Sequence, residues 1–319
     1  MKKIAVLMGG PSAEHDISLK SGQSVAAALI RRGWRVQEVV IARALTVPDA
    51  TDFAAATLRR EHPDAVFVAL HGPFGEDGTI QQVCDALHLA YTGSGQEASR
   101  LGMDKVASRG RFEQAGLSVP RWRVLEAAHA SSASDLLGDM TLPVAVKPTN
   151  QGSSIGVTKV ERLEDLRPAM AQAARHDARV LIEAWISGRE LTVGVLGEEA
   201  LPVVEIRSSH PFFDYAAKYT AGQTQYLVPA PLEAALARRV QEAGRRAHAA
   251  LGCRHFSRAD LMLTNDGEPV VLEVNTIPGL TSLSLLPKAA ACAGISYDAL
   301  CERMVLMALS PAVAHALSG

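Results

Sequence analysis

The chain has 319 residues, of which 48% are hydrophobic, and a formal net charge of −2 from 32 basic and 34 acidic residues. A length of this order predicts two or three packed units rather than one. The balanced charge provides no overall field that would attract nucleic acid or an anionic membrane, so neither is an expected partner, and any anionic ligand must be held by local groups.

The N-terminus and the cysteines indicate a cytoplasmic protein. The apolar run in MKKIAVLMGG ends after about five residues, whereas the apolar region of a signal peptide needs about 7–15. No stretch approaches the roughly 20 apolar residues of a membrane span. Four cysteines form no CxxC pair and are predicted to be reduced thiols; they are Cys84, Cys253, Cys292 and Cys301.

The first third of the chain alternates predicted strands and helices, which is typical of a βαβ unit with a parallel sheet. The predicted elements are strand Ile4–Leu7, helix Ser21–Arg32, strand Arg35–Ile41 and strand Ala65–Leu70. Ligands of such sheets bind beyond the carboxyl ends of the strands. Two polar loops lie there: GGPSAEHD carries Glu14, and HGPFGEDG carries His71. Loop solvation or helix capping is the alternative for each side chain.

A boundary is predicted at Tyr91–Gly95, where a short strand, Leu89–Thr92, ends in glycine and serine residues. Asp104 and Lys105 then open a helix that runs to about Ala115. A lysine in the first turn of a helix is unusual, because the helix dipole favours acidic residues there. A bound anion would explain Lys105, and a solvated side chain is the alternative.

Lys147 ends a predicted strand, Val144–Lys147, and a glycine-rich tip, Gln151–Gly156, leads into a returning strand, Val157–Val160. The backbone N–H groups of such a tip can bind a phosphate chain while the lysine supplies a point charge. The pattern differs from the GxxxxGK[ST] loop, which precedes a helix. A hairpin tip without a ligand is the alternative.

Two later segments carry further candidate side chains. The predicted strand Val180–Trp185 leads to Glu190, whose carboxylate could accept hydrogen bonds from ribose hydroxyls. Residues 211–231 show little periodicity and are predicted to form a long binding loop in which Lys218 and Tyr219 could reach a site. A helix is predicted from about residue 232 to 251, and a C-terminal helix from about Tyr297.

A hairpin is predicted around Asp266-Gly267, because the flanking runs alternate apolar and polar residues. A two-residue loop there places Asp260 opposite Glu273 and Arg258 opposite Asn275, all on one face. Two opposing carboxylates repel unless a cation lies between them, and a hard divalent cation suits them. A solvated acidic face is the alternative. The other face is predicted to be core and contains Ala259, Leu261, Leu263, Leu272 and Val274.

Eight motifs are spread along the chain: GGPSAEHDISL, ALHGPFGEDGTIQ, YTGSG, MDK, VKPTNQGSSIGV, EAW, DYAAKY and LEVNTIPGLTSLSL. In type and order they resemble those of the D-alanine–D-alanine ligases of the ATP-grasp superfamily. One such motif is weak evidence, whereas eight in order are specific. Two positions depart from the family pattern: Ala184 stands where relatives often have lysine, and Gln151 where glutamate is common.

The resemblance implies an α/β (α+β) ATP-grasp fold in which ATP lies between two antiparallel sheets. Its implied units are an N-terminal Rossmann-like parallel-sheet unit (1–93), a central unit (94–186), and a C-terminal unit (187–319) with the hairpin and the long loop. The implied activity is ATP-dependent ligation of two D-alanines through an acyl phosphate, for peptidoglycan precursor synthesis, by a homodimer. Alternatives are D-lactate or D-serine as second substrate, and a nucleotide-binding relative without turnover.

The resemblance also implies a nucleotide site. Lys105 and Lys147 bind phosphates, the loop with Ser153 and Ser154 closes over them, and Glu190 holds the ribose. The residues from Glu183 to Ile186 contact adenine. The full implied set is Lys105, Lys147, Ser153, Ser154, Glu183, Ala184, Trp185, Ile186, Glu190 and Met262.

Metal and amino-acid sites are implied in the same way. Asp260, Glu273 and Asn275 bind two Mg²⁺ ions, for which Mn²⁺ can substitute, with Glu273 bridging. Glu14 binds the ammonium of the first D-alanine, and His71 lies nearby. The remaining implied roles are oxyanion stabilisation by Arg258 and the Gly279 backbone, binding of the second carboxylate by Ser284, Leu285 and Lys218, and closure of the site by Tyr219 through Ser153 and Glu14. Tyr219 favours the dipeptide product.

Overall fold

The computed structural model of the protein describes residues 2–126, 133–150, 156–208 and 224–310. Its strands form three separate sheets, one parallel and two antiparallel, and helices pack against each of them. The fold is therefore of the mixed α/β type that the sequence predicts. None of the helices in these ranges has the length and apolar composition to span a bilayer.

A parallel three-stranded sheet begins the chain. Its elements are β1 (Lys3–Gly9), α1 (His15–Arg31), β2 (Arg35–Ile41), α2 (Val47–Glu61), β3 (Ala65–Val68) and α3 (Thr79–Ala86). The strand order is β2-β1-β3, and the apolar central strand is almost wholly buried. Parallel strands need crossover connections, which the helices α1 and α2 supply. The predicted parallel sheet is confirmed.

Two predicted elements in this part are wrong. Helix α1 begins at His15 rather than Ser21. The prediction missed its first turns because their buried positions include His15, Ser18 and Ser21, which give no apolar periodicity. The segment Leu89–Thr92 is not a strand; it contributes a single parallel bridge, from Tyr91 to β3.

A four-stranded antiparallel sheet forms the middle of the molecule. The elements of this part are α4 (Gln96–Met103), α5 (Lys105–Gln114), β4 (Trp122–Glu126), α6 (Ala133–Leu137), β5 (Val144–Pro148), β6 (Thr158–Val160), a 3-10 turn (Leu163–Asp165), α7 (Leu166–Ala173) and β7 (Arg179–Ala184). The strand order is β4-β7-β5-β6. One face of the sheet packs on α6 and α7 through Val144, Val146, Val180 and Ile182. The alternate residues of β5 and β7, which include Lys147 and Glu183, therefore face the other way.

A six-stranded antiparallel sheet completes the chain. Its elements are β8 (Gly188–Leu196), β9 (Glu199–Ala200), β10 (Val204–Ser208), β11 (Thr224–Leu227), α8 (Ala234–Ala250), β12 (Phe256–Thr264), β13 (Pro269–Asn275), α9 (Leu285–Cys292) and α10 (Tyr297–Leu309). The strand order is β11-β10-β8-β12-β13, with β9 paired to β8. The prediction of one continuous loop over 211–231 is wrong in part, since residues 224–227 form β11, whereas 211–223 lie outside the described residues.

The C-terminal helices return to the first sheet. Residues of α9 and α10 share one buried cluster with β1 and α1, while α2 and α3 cover the opposite face of the parallel sheet. Helix α8 covers the face of the six-stranded sheet that carries Leu191, Ala259 and Leu261. This packing carries the segment after β13 to the carboxyl edge of the parallel sheet.

The turn before β12 fastens the six-stranded sheet to the crossover from the first part of the chain. The Gly93 N–H donates to His255 Nδ1 (3.2 Å), and Arg254 Nε donates to the Gly93 carbonyl (3.0 Å). The Arg254 guanidinium lies 4.6 Å from the ring centroid of Tyr91. Beside this junction, His248 Nδ1 is 2.7 Å from Ser257 Oγ.

We expect His248 and His255 to make the protein less stable in mild acid. Burial lowers the pKa of both histidines to about 4 from 6.5. The unfolded chain therefore binds protons near pH 6.5, whereas the folded chain binds them only near pH 4. The contribution of the two neutral histidines to the free energy of unfolding is fully present above pH 6.5 and is lost as the pH falls from 6.5 to 4. The contribution of His248 amounts to ~3 kcal/mol at most.

Urea unfolding at pH 7 and pH 5 tests this expectation. The His248→Gln variant should lose less stability between the two pH values than the wild type does. Substitution of the exposed His62 by Asn, a residue that tolerates the left-handed backbone at that position, should keep the wild-type difference. Equal pH dependence of His248→Gln and wild type would contradict the assignment.

Candidate active site

One face of the six-stranded sheet gathers the predicted metal and ribose residues in rows across neighbouring strands. Thr192, Asp260 and Glu273 form one row. In the next rows Arg258 lies opposite Asn275 on one side, and Met262 lies opposite Glu190 on the other. Side chains at register partners and at every second residue share a face, so these seven residues line one surface.

The predicted pairing of Asp260 with Glu273 is confirmed, but through a different turn. The Thr264 N–H donates to the Glu268 carbonyl and the Gly267 N–H to the Thr264 carbonyl, so the loop has three residues, not two. A three-residue loop alone would shift the register by one position. An irregularity beyond Asp260 restores the register, because Leu261 pairs with Val271 and Leu272 is the extra residue.

This bulge corrects the predicted core face. Val271, not Leu272, occupies the core position, and Leu272 remains partly exposed. The other predicted core residues of the hairpin are buried; they are Ala259, Leu261, Leu263 and Val274.

Asp260 is held by donors of the protein. Arg258 donates to both carboxylate oxygens, from Nε at 2.8 Å and from Nη2 at 2.7 Å. Thr192 Oγ1 donates to Oδ1 at 2.7 Å, and Asn275 Nδ2 to Oδ2 at 3.1 Å. These bonds fix the carboxylate on the face that Glu273 shares.

Glu273 is brought together with Lys105, whose Nζ lies 3.9 Å from Glu273 Oε2. Asp104 caps helix α5 by accepting from the N–H groups of Val106 and Ala107, which sets Lys105 in the first turn. The Lys105 side chain is 12% exposed, so the alternative of a solvated lysine is wrong. Burial lowers the pKa of Lys105, and Glu273 partly offsets that effect.

Lys147 reaches the same region from the middle sheet. Its Nζ donates to Glu183 Oε1 at 2.7 Å, and the guanidinium of Arg109 donates to Glu183 Oε2. Burial by itself would raise the pKa of Glu183, but Arg109 and Lys147 hold that pKa below its ordinary value. The predicted adenine residue Glu183 therefore directs its side chain to cations rather than leaving it available for a base.

His71 connects the first sheet to the segment after β13. Its Nδ1 lies 3.1 Å from the Ile277 carbonyl and its Nε2 2.9 Å from Ser21 Oγ. A carbonyl only accepts, so in the neutral ring Nδ1 carries the proton and Nε2 accepts from Ser21. Ser21 Oγ in turn accepts from the Leu280 N–H (3.4 Å).

Two carboxylates flank this histidine. Glu76 Oε1 lies 3.4 Å from His71 Nδ1, and burial raises the pKa of Glu76, with a smaller raising effect from Glu14. Ser12 Oγ donates to the His71 carbonyl and accepts from the Glu14 N–H, which ties the two predicted loops together. The structure thus brings Glu14 and His71 to one place.

The start of α9 lies at the same edge. Ser284 is the N-cap residue of α9, but its hydroxyl turns back to Thr281, accepting from the Thr281 N–H at 3.1 Å, and makes no cap hydrogen bond. Ser284 therefore does not cap the N–H groups of the first turn, which include that of Leu285. Gly279 packs so closely that an added Cβ would lie 2.9 Å from Ser284 Oγ.

The predicted adenine segment has part of its backbone already engaged. The Ala184 N–H donates to the Arg121 carbonyl (2.8 Å) and the Trp185 N–H to the Pro143 carbonyl (3.1 Å). Ile186 follows, and the chain then enters β8, which carries Glu190.

Four predicted site residues fall outside the described residues: Ser153, Ser154, Lys218 and Tyr219. Sequence analysis missed three contributors, Arg109, Thr192 and Ser21. For Arg109 a signal existed, because it stands four residues after Lys105 and so shares a helix face with it. Thr192 could be found only once the register of β8 on β12 was known.

The predicted metal ligands are oxygen donors of the kind that Mg²⁺ prefers, and they lie on one face. Within the described ranges no group of three or more His, Cys, Asp or Glu residues could hold a metal ion. The predicted set has two carboxylates and one amide, and Arg258 occupies Asp260 in this structure. The donor chemistry therefore fits a divalent ion. Asp260 would bind that ion either together with Arg258 or in place of it.

Comparisons with known proteins place the chain in one family. Residues 46–94 match the family model described as "D-ala D-ala ligase N-terminus", and residues 112–306 match "D-ala D-ala ligase C-terminus". A D-alanine–D-alanine ligase of Desulforudis audaxviator is 45% identical over 312 residues, which are 97% of this chain and 99% of that protein. One of Anaeromyxobacter sp. (strain K) is 44% identical over 306 residues, 95% of this chain and 96% of that protein.

Solved structures agree in fold. The D-alanine–D-alanine ligase from Bacillus anthracis complexed with ATP superposes with a TM-score of 0.82 at 32% identity, covering 97% of this chain and 98% of that one. The VanG D-Ala:D-Ser ligase from Enterococcus faecalis superposes with a TM-score of 0.81, also at 32% identity, covering 96% and 99%.

The bulge at Leu272 has a measurable consequence for the free energy of unfolding. Val271→Ala should lower the free energy of unfolding by about 2 kcal/mol, since it removes two buried methyl groups. Leu272→Ala should lower it by less than about 1 kcal/mol, because Leu272 is already partly exposed. Urea midpoints of the two variants measure the difference, and the reverse ranking would indicate a regular hairpin with Leu272 in the core.

Proposed function

The chain belongs to the D-alanine–D-alanine ligase family, and we propose that it is an ATP-dependent ligase that joins two D-alanine molecules into D-alanyl-D-alanine. ATP is converted to ADP and phosphate, a C–N bond is formed, and the product serves peptidoglycan precursor synthesis. One observation carries the proposal at the level of the site: Lys105 and Glu273 lie 3.9 Å apart, so the lysines and the carboxylate hairpin meet at one cleft.

ATP is proposed to lie between the middle sheet and the six-stranded sheet. Lys147 and Lys105 would bind its phosphates, since both ammonium groups are mostly buried, Lys147 beside Glu183 on the middle sheet and Lys105 beside Glu273 on the six-stranded sheet. Glu190 and Met262 are neighbours on the opposite wall, where a ribose and a base could rest. Because the N–H groups of Ala184 and Trp185 are engaged, base recognition would use their carbonyls and the Ile186 backbone.

Asp260, Glu273 and Asn275 are proposed to hold two Mg²⁺ ions, with Mn²⁺ as a substitute. Such ions would neutralise charge on the phosphates during phosphoryl transfer. The chain's own part is to fix both carboxylates on one face and to supply Lys105 and Lys147, so that the carboxylate of the first D-alanine can attack the γ-phosphate without charge repulsion. The resulting acyl phosphate is the activated donor.

The amino-acid end of the site is proposed at the edge where the first sheet meets α9. Glu14 would pair with the ammonium of the first D-alanine, next to His71. The first turn of α9, which the Ser284 side chain does not cap, would bind the carboxylate of the second D-alanine through Ser284 and Leu285. Arg258 and the Gly279 N–H would stabilise the oxyanion that forms when the second amine attacks, and each fixed donor contributes ~3–4 kcal/mol in comparable sites.

The residues outside the described ranges keep their proposed roles. Ser153 and Ser154 would contact phosphates, Lys218 the second carboxylate, and Tyr219 would close the site. We also propose the division into units 1–93, 94–186 and 187–319, which is supported by the confinement of each sheet to one of these ranges. A cytoplasmic homodimer remains part of the proposal.

A second candidate function is ligation of D-alanine to D-serine. The observation that favours it is the fold likeness to a D-Ala:D-Ser ligase, which equals the likeness to a D-alanine–D-alanine ligase in identity and nearly in TM-score. The 44–45% identity to D-alanine–D-alanine ligases over the whole chain supports the first candidate.

Phosphate release with ATP, Mg²⁺ and D-alanine, alone or with D-serine or D-lactate added, tests the proposal. We expect release with D-alanine alone and a product with the mass of the D-alanine dipeptide even when the other acceptors are present. A mixed product would support the second candidate or D-lactate use. The absence of phosphate release with every acceptor would refute the ligase function.

Glu273→Gln should lower kcat/KM by at least about a hundredfold, because a neutral amide would bind a divalent cation much more weakly than a carboxylate does. The melting temperature should stay within a few degrees, since the Glu273 side chain is partly exposed and its pair with Lys105 is long. Glu268→Gln is the matched control, a carboxylate of the same hairpin that pairs with Arg239 at the surface and should keep full activity. A large loss of thermal stability in Glu273→Gln would point to a structural role instead.

A further inference from the structure

Arg109 is a buried charge to which the proposed reaction assigns no role. Its side chain is fully buried, and its guanidinium binds Glu183 through Nη2. Nε and Nη1 have no hydrogen-bond partner in the described part of the chain. A buried guanidinium that makes a single anionic contact is costly as a structural element, so its value to the protein must lie in that contact.

Glu183 stands between two cations. Arg109 reaches it from α5, and Lys147 reaches it from β5, a strand directly paired with β7. The three side chains together carry one net positive charge, and Lys105 adds a second nearby. All of them are largely or wholly shielded from water, where an ion that loses its partner is strongly destabilised.

This arrangement gives Lys147 freedom to change partners. When Lys147 turns from Glu183 to a phosphate, Glu183 still has Arg109 as its counterion. Without Arg109, the same movement would leave the buried Glu183 carboxylate with no directly bonded cation among the described residues, so Lys147 would stay on Glu183. The second cation thus decides whether the first is available to a ligand.

We propose that Arg109 is a positioning residue for Lys147: it holds Glu183, and so allows the Lys147 ammonium to transfer to the phosphates of ATP. Arg109 itself does not touch the nucleotide. The inference rests on the proposed role of Lys147 as a phosphate ligand, and it extends that role to the residue that controls it.

The test compares ATP with adenosine, which lacks phosphates. Arg109→Met leaves Glu183 and Lys147 as a neutral pair and should weaken ATP binding about tenfold or more, while adenosine affinity stays unchanged. Arg109→Lys restores the charge and should bind ATP within about threefold of wild type. Arg111→Met is the matched control, the same substitution at an exposed position of α5, and should change neither affinity.

Calorimetry on the full-length protein with each ligand gives these affinities, and Lys147→Ala serves as the reference. Equal weakening of ATP and adenosine by Arg109→Met, or no rescue by lysine, would show a merely structural role and overturn the proposal. Unchanged ATP affinity in Arg109→Met, with clear loss in Lys147→Ala, would overturn it while leaving the phosphate role of Lys147 intact. Unchanged ATP affinity in Lys147→Ala would refute that role itself.

If Arg109→Met does not fold, Arg109→Gln carries the same test. Glutamine can still donate a hydrogen bond to Glu183 but has no charge. Loss of ATP affinity in this variant supports the proposal, whereas wild-type affinity would show that a hydrogen bond suffices and would overturn it.

Discussion

Two carboxylates that face each other on adjacent strands repel, and the arrangement of the site follows from how the chain offsets that repulsion. Asp260 and Glu273 are register partners, so the ladder holds their Cβ atoms close together on one face. Each has a separate cation: Arg258 binds Asp260 from the same strand, and Lys105 approaches Glu273 from α5. The hairpin alone is incomplete, and α5 must lie against it for the charges to balance.

Helix α5 also places a positive charge against the middle sheet. One turn after Lys105, Arg109 binds Glu183, which also binds Lys147. A series of charged side chains therefore runs from Glu273 on β13 through Lys105 and Arg109 on α5 to Glu183 on β7 and Lys147 on β5, and so links the two antiparallel sheets. The first sheet joins through neutral groups instead: His71 bonds to Ile277, and Ser21 to Leu280. Charge pairing organises the end proposed to bind phosphates, and hydrogen bonding between neutral groups organises the end proposed to bind amino acids.

Sequence reasoning anticipated much of this, with limits that have physical causes. Opposition of Asp260 and Glu273 followed from strand alternation, and it holds because a longer loop and a bulge at Leu272 compensate each other, which no local pattern reveals. The predicted start of helix α1 lies six residues too late, because the buried face of the helix begins with polar residues. The pair of Arg109 and Glu183 joins residues 74 positions apart, and such long-range contacts become visible only in the folded chain.

The two ends of the charge series differ in how easily they can change partners. Glu183 has two cations, so it can release Lys147 and remain paired. Asp260 accepts two hydrogen bonds from Arg258, one from the Thr192 hydroxyl and one from the Asn275 amide. If Arg258 stabilises an oxyanion, as proposed, a divalent ion on the hairpin would supply positive charge to Asp260 when Arg258 turns away. In the proposed reaction Lys147 can therefore leave Glu183 for a phosphate while Arg109 remains in place, whereas Arg258 would leave Asp260 as the proposed divalent ion binds it.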